Sequence, residues 1–278
     1  LPLGATEQHG PHLPFETDSL IAEAVVERLI ERLPDAAPVV FLPVEDVGYS
    51  PEHMHVAGTK SLEWDQAVRR WIRVGEQAHR SGIRKLVMLN AHGGNSPLMT
   101  IVATELRTRF NMLAVATSWT RFGLPDGVMS AEEKHLDIHG GLIETSVMLA
   151  IHPEMVAMDR AAAFPSRQDD FIRDYSHLRA YGPHAFGWTM EDLSAIGAVG
   201  NAAGASAEIG EAILDHAVGG LLDLAEHMRA EQHRLARLAR LANHLQELAL
   251  DERVQSAGRF VEHEQLGTMH EGLDESDF

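Results

Sequence analysis

The chain has 278 residues, 45% hydrophobic and 23% charged, which is enough to bury the core of one sizeable α/β domain and unlike a disordered or collagen-like composition. A formal charge of -18 argues against nucleic acid and disfavours anionic membrane as main partners, because neutralising phosphates needs clustered Lys and Arg. With no cysteine, disulfides, thiolate catalysis and zinc ribbons are excluded, a reducing cytoplasm fits, and only imidazole and carboxylate remain to hold a metal.

The chain opens "LPLGATEQHGPHLPFETD", an apolar run at 1–5 that predicts a strand and then a Gly/Pro-studded loop. No run approaches the roughly 18 apolar residues of a spanning helix. Nothing at the start reads as a signal peptide, and the absent initiator methionine predicts a natural N-terminus upstream of Leu1. Apolar residues at 20, 21, 24, 25, 29 and 30 predict a helix over 18–33. Strands follow at 38–44, 85–90 and 111–119, separated by helices at 61–82, opened by Ser61, and at 96–110, with Pro97 in its first turn. A further helix spans 140–151. Residues 157–205, rich in Arg, Asp, Gly and Pro and carrying Trp188, read as a long excursion over the site or at a subunit contact. Helical period resumes at 205–228 and continues to about 250, with Leu221, Leu224, Met228, Leu235, Leu238 and Leu245 on a seam that favours a surface helix over a coiled coil.

Alternating elements with nearly continuous apolar strands predict a single-domain, three-layer α/β/α fold around a mostly parallel central sheet. The expected division is 1–230 for that domain and 231–278 for a C-terminal helix and acidic tail.

The chemistry gathers where strands end. Glu7 and His9 share one side of an extended segment, and Asp18 opens the first helix. His92 in "LNAHGGN" follows the 85–90 strand, and "DIHGGLIETS" supplies His139 and Glu144 at another helix start. In open α/β sheets ligands gather beyond the carboxyl ends of the strands. These imidazoles and carboxylates suit two divalent ions, Zn, Mn or Fe, with Asp18 as the bridge. Singly each residue has an ordinary reading: a loop His on the surface, "HGGN" as a glycine turn, Glu144 as a first-turn acid favoured by the helix dipole.

"GATEQHGPHLPFETD", "NAHGGN" and "HGGLIETSVML" together resemble the signature segments of the creatininase family of metal-dependent amidohydrolases, over about residues 1–155, with an echo in "GAVGNAAGASAEIGEAIL". The resemblance implies Glu7, His9, Asp18 and His92 as metal ligands, Glu144 as the fifth, and His139 as the group that shuttles a proton at the scissile bond. Creatininase proper carries Glu two residues after the His that matches His92, where this chain has Gly94, so creatinine is disfavoured as substrate. Other branches deformylate a pyrimidine intermediate, trim a peptide in cofactor maturation, or open a keto-inositol. The "EH…GT.SL" loop makes Glu52 and His53 candidate substrate contacts, or only a helix cap, and Trp119 a candidate wall for a flat substrate. The expected function is hydrolysis of a C–N bond in a cyclic or linear small-molecule amide by a homo-oligomer, a hexamer by resemblance. Two alternatives remain at this point, a non-catalytic metal-binding scaffold and nucleotide binding by the glycine loops.

Overall fold

The computed structural model describes residues 1–229. The expected seam beyond Met228 and the tail at 231–278 lie outside the described residues. Residues 1–224 form one compact unit, and 225–278 are grouped as a second.

Three parallel strands make the central sheet in the order β1 (Pro2–Leu3), β2 (Lys85–Asn90), β3 (Leu113–Ser118). Leu3 pairs with Asn90, and Asn90 with Ser118, so all three strands end at one level. The anticipated strand at 38–44 is not regular. Pro38 and Pro43 lack the N–H a ladder needs, Val39 and Val40 are exposed, and the parallel bridge to Leu3 is made by Glu45, just past the segment.

Helices flank the sheet on both faces. On one face, α2 (Trp64–Arg80) and α3 (Ser96–Phe110) pack Trp71, Ile72, Val102 and Leu106 against Leu86 and Met88. On the other, α1 (Thr17–Arg32) and α5 (Leu142–Ile151) join a helix over 207–229 to enclose Leu89 with Ile21, Val25, Val147, Leu214 and Val218. Alternate residues of β2 thus enter opposite cores, as strand geometry requires, and the three layers follow. The short α4 (Ala131–Leu136) precedes α5.

Local signals explain most helix boundaries. Ser61 does not cap α2; its hydroxyl accepts from Ser50 N–H at 2.9 Å, and Glu63 takes the cap position with its N–H donating to the Gln66 side chain at 3.4 Å. Asn111 ends α3 in the left-handed conformation (φ 52°), which Asn tolerates better than most residues. The 157–205 excursion holds two short helices, α6 (Gln168–Asp174) and α7 (Met190–Leu193), and pairs β4 (Ala163–Phe164) with β5 (Gly200–Asn201) antiparallel. Its own small core packs Met190, Leu193, Val199 and Ala180, with Trp188 against it and donating Nε1–H to Ala180 O at 3.0 Å.

Candidate metal centre

Four chain segments converge just past the carboxyl ends of β1 and β2. The loop after β1 carries Glu7 and His9, the first turn of α1 carries Asp18, and His92 stands two residues beyond β2. Glu144 lies in the first turn of α5, where Asp137 accepts from Leu142 N–H at 2.6 Å and so fixes the helix start. Asn95, fully buried, ties these loops together: its Oδ1 accepts from Tyr49 N–H at 2.9 Å, and its Nδ2 donates to Gly4 O and Asn90 Oδ1, both at 3.1 Å.

Asp18 stands in the middle. Its Oδ1 is 3.3 Å from His9 Nε2 and its Oδ2 is 3.4 Å from His92 Nδ1, so one carboxylate faces two imidazoles. On the His92 side, Glu7 Oε1 lies 3.0 Å from Nδ1. On the His9 side, Glu144 Oε2 lies 3.8 Å from Nε2 and also accepts from Gly140 N–H at 2.7 Å. Each imidazole donates from its outer nitrogen to a backbone carbonyl, which turns the other nitrogen inward. His9 Nδ1–H donates to Glu7 O at 3.0 Å, and His92 Nε2–H to Tyr49 O at 2.9 Å. Glu7 Oε2, His9 Nε2 and Asp18 Oδ2 are buried with no hydrogen-bond partner. Orphaned buried donors and acceptors of this kind are costly unless something binds them.

The electrostatics agree. Burial alone disfavours a charged imidazole, yet Asp18, Glu144 and Glu7 outweigh it and lift His9 to about 10; Glu7 and Asp18 do the same for His92, which lies well above its usual range. Asp18 is held well below the usual carboxylate range because His9 and His92 outweigh its burial. Burial pushes Glu144 up to about 7. A buried knot of carboxylates draws in positive charge, and the donor set of imidazole and carboxylate oxygen is one that divalent Zn, Mn or Fe accepts.

Two further histidines stack beside the centre, with ring centroids 4.3 Å apart. His139 Nε2–H donates to Gln8 O at 2.6 Å, which leaves Nδ1 as an acceptor 3.8 Å from Glu7 Oε1. Burial, then the charge on His9, lowers His139 to about 4. His53 Nδ1 accepts from the Gln8 side-chain amide at 2.8 Å, which turns its Nε2–H toward Glu7 Oε1 at 3.6 Å. Gln8, unremarkable as a lone residue in the sequence, therefore sets the tautomer of both rings. Glu52 approaches His92 Nε2 at 3.6 Å. Trp119 is 3% exposed and packs in the core with Leu13, Ile21 and Leu214. Tyr181, from the 157–205 excursion, brings its hydroxyl over Gly93 and within electrostatic reach of His92, Glu144 and Glu52. No spacing in the sequence marks Tyr181 or Asn95, since their partners lie in distant segments.

A parallel α/β sheet with a buried imidazole–carboxylate cluster at its strand ends is the architecture of a protein built to hold divalent metal. The sequence pattern of creatininase, described as creatinine amidohydrolase, matches residues 1–225, and the chain belongs to the creatininase family. It is 36% identical over 168 residues to the mycofactocin precursor peptide peptidase of Mycobacterium ulcerans (strain Agy99), a match covering 59% of this chain and 62% of that protein, a little under two thirds of its length. It is 29% identical over 240 residues to the creatinine amidohydrolase of Pseudomonas putida, covering 80% of this chain and 86% of the relative. Among solved structures, a Zn–Zn form of a mutant creatininase superposes with a TM-score of 0.62 at 28% identity, covering 83% of this chain and 88% of that one. A creatininase structure designated Mn gives 0.61 at 29%, covering 83% and 89%.

Proposed function

We propose that the protein is a metal-dependent amidohydrolase that cleaves a C–N bond in a cyclic or linear amide. The observation that carries this reading is Asp18, whose two oxygens face two inward-pointing imidazole nitrogens at 3.3 and 3.4 Å. That arrangement divides the donors into two sets, His92 with Glu7 and His9 with Glu144, sharing Asp18. When bound, two divalent ions supply Lewis acidity toward a carbonyl and a water of lowered pKa.

The remaining work falls to the chain. Gln8 O fixes His139 Nε2–H, so the Nδ1 lone pair faces the centre, free to take a proton from the attacking water and return it to the departing nitrogen. His53 Nε2–H, aimed by Gln8, donates to an oxygen arriving beside Glu7. Glu144 retains 17% side-chain exposure and Glu52 13%, so the cluster opens to solvent on their side, which favours an enzyme over a closed scaffold. The peptide and cyclic-amide names of the relatives share one chemistry, a carbonyl carbon separated from nitrogen by hydrolysis. Self-association and a reducing compartment belong to the same reading, the second supported by the absence of cysteine.

The test begins with metal analysis of protein purified without added ions, then hydrolysis of an amide panel of creatinine, formamido-pyrimidines and short peptides before and after chelation. Stripping is expected to abolish turnover and readdition to restore it. Asp18→Asn is expected to lose bound metal rather than only substrate affinity. A variant at Asp18 that keeps two ions per chain contradicts its bridging role.

A further inference from the structure

Position 94 is glycine for a reason visible in its surroundings. A β-carbon there would lie 2.6 Å from Glu52 Oε1 and 2.5 Å from His92 Nε2, and nearer still to the Tyr49 carbonyl oxygen. The space that a residue-94 side chain would enter is already filled by a carboxylate, delivered from a different loop. Glu52 sits in the single turn Pro51–His53, and its Oε1 is 3.6 Å from His92 Nε2. That nitrogen already donates to Tyr49 O at 2.9 Å, with Ser50 Oγ 3.1 Å away, so the imidazole does not need Glu52 to satisfy it. One oxygen of Glu52, one of Glu7 and one nitrogen of His92 lie within 4.8 Å of one another.

We propose that Glu52 is a ligand of the ion on the Glu7–His92 side, reaching the centre from the 51–53 turn through the space that Gly94 leaves open. The inference rests on the dinuclear reading above and makes that side richer in carboxylate than the His9–Glu144 side. Glu52 then acts on one ion and not the other, whereas Asp18 acts on both.

The test uses the full chain, stripped by chelation and reloaded with Mn²⁺ or Zn²⁺ alone, with bound metal counted by elemental analysis and affinities read by competition with a chromogenic chelator. For Glu52→Gln and Glu52→Ala the expected result is one ion per chain held as in the parent and the second lost or weakened at least tenfold. Glu52→Gln is isosteric, so it decides the matter if Glu52→Ala unfolds, and circular dichroism verifies the fold of each. Two ions bound by Glu52→Gln with parental affinities overturn the proposal while leaving the dinuclear reading intact. A parent chain that binds no metal overturns both.

Discussion

Histidines of identical chemistry, a few ångströms apart, divide here by what they face. His9 and His92 look onto carboxylates and rise, His9 to about 10, while His53 and His139 look mostly onto other imidazoles in a dry environment and fall. The same logic reaches His12, whose Nε2 lies 2.9 Å from Thr145 Oγ1 and whose Nδ1 is buried without a partner. Burial first, then the charge on His9, lowers His12 to about 4 from its ordinary 6.5. The folded chain thus holds this ring neutral while the unfolded chain takes up a proton below about 6.5. Its contribution to stability is complete above the unfolded value and is lost as pH falls through 6.5 toward 4. Thermal midpoints recorded from pH 7 to 4.5 should fall less steeply for His12→Gln, which keeps a polar atom near Thr145 but cannot titrate. Equal slopes in the two proteins would show that other groups carry the acid sensitivity.

At the scale of elements, the centre depends on how closely helices can approach one another. Gly210, in the 207–229 helix, lies against the backbone of α5: a β-carbon there would come within 2.5 Å of the Ser146 carbonyl carbon and closer still to its oxygen. Backbone cannot rotate away as a side-chain tip can, so Gly210→Ala must push α5 off, and α5 carries Glu144 two residues before Ser146. Overpacking of this kind costs about 1–3 kcal/mol, or very roughly 3–10 °C of thermal midpoint for a domain of this size. Differential scanning calorimetry checks the stability loss, and metal titration checks the coupled effect, a weaker ion on the His9–Glu144 side. A midpoint equal to the parent's would mean that the two helices tolerate separation.

The elements themselves were largely legible in the chain. Helices at 17–32, 64–80, 96–110 and 142–151 fall where the apolar period places them, though Ser61 does not cap the second, and the convergence of Glu7, His9, Asp18, His92 and Glu144 follows once strands are read as parallel and ending together. What escaped was set by tertiary partners. The 38–44 run looks apolar enough for a strand but is interrupted by Pro38 and Pro43, and the burial of Trp119 is set by core residues from distant segments. Gln8, Asn95 and Tyr181 gain their roles only from residues far away in sequence.

For the whole molecule, the fold and the ions are one equilibrium. Residues 1–224 bury Glu7, Asp18, His9 and His92 in a single unit, and three of their polar atoms have no partner within the protein, so the unfolded chain, which does not preorganise these donors, binds metal far less well. A ligand that binds only the folded state adds RT ln(1 + [L]/Kd), about 2.7 kcal/mol per site at a hundredfold excess over Kd. Two such sites amount to about 5 kcal/mol, and at about 2–4 °C per kcal/mol the stripped protein should melt about 10–20 °C below the loaded one. The gap should also depend on pH. In the stripped protein the carboxylates are partly compensated by protonated imidazoles: His9, raised to about 10, contributes stability that is complete below its unfolded value of 6.5 and is lost as pH rises through about 10. Metal binding runs the other way, because each ion must displace those protons and so binds more tightly as pH rises. Both effects widen the difference between loaded and stripped midpoints from pH 6.5 to pH 8.5, measured in low-affinity buffers with and without excess chelator. A gap that stays constant or narrows over that range would mean that the cluster is organised by its own hydrogen bonds and not around positive charge.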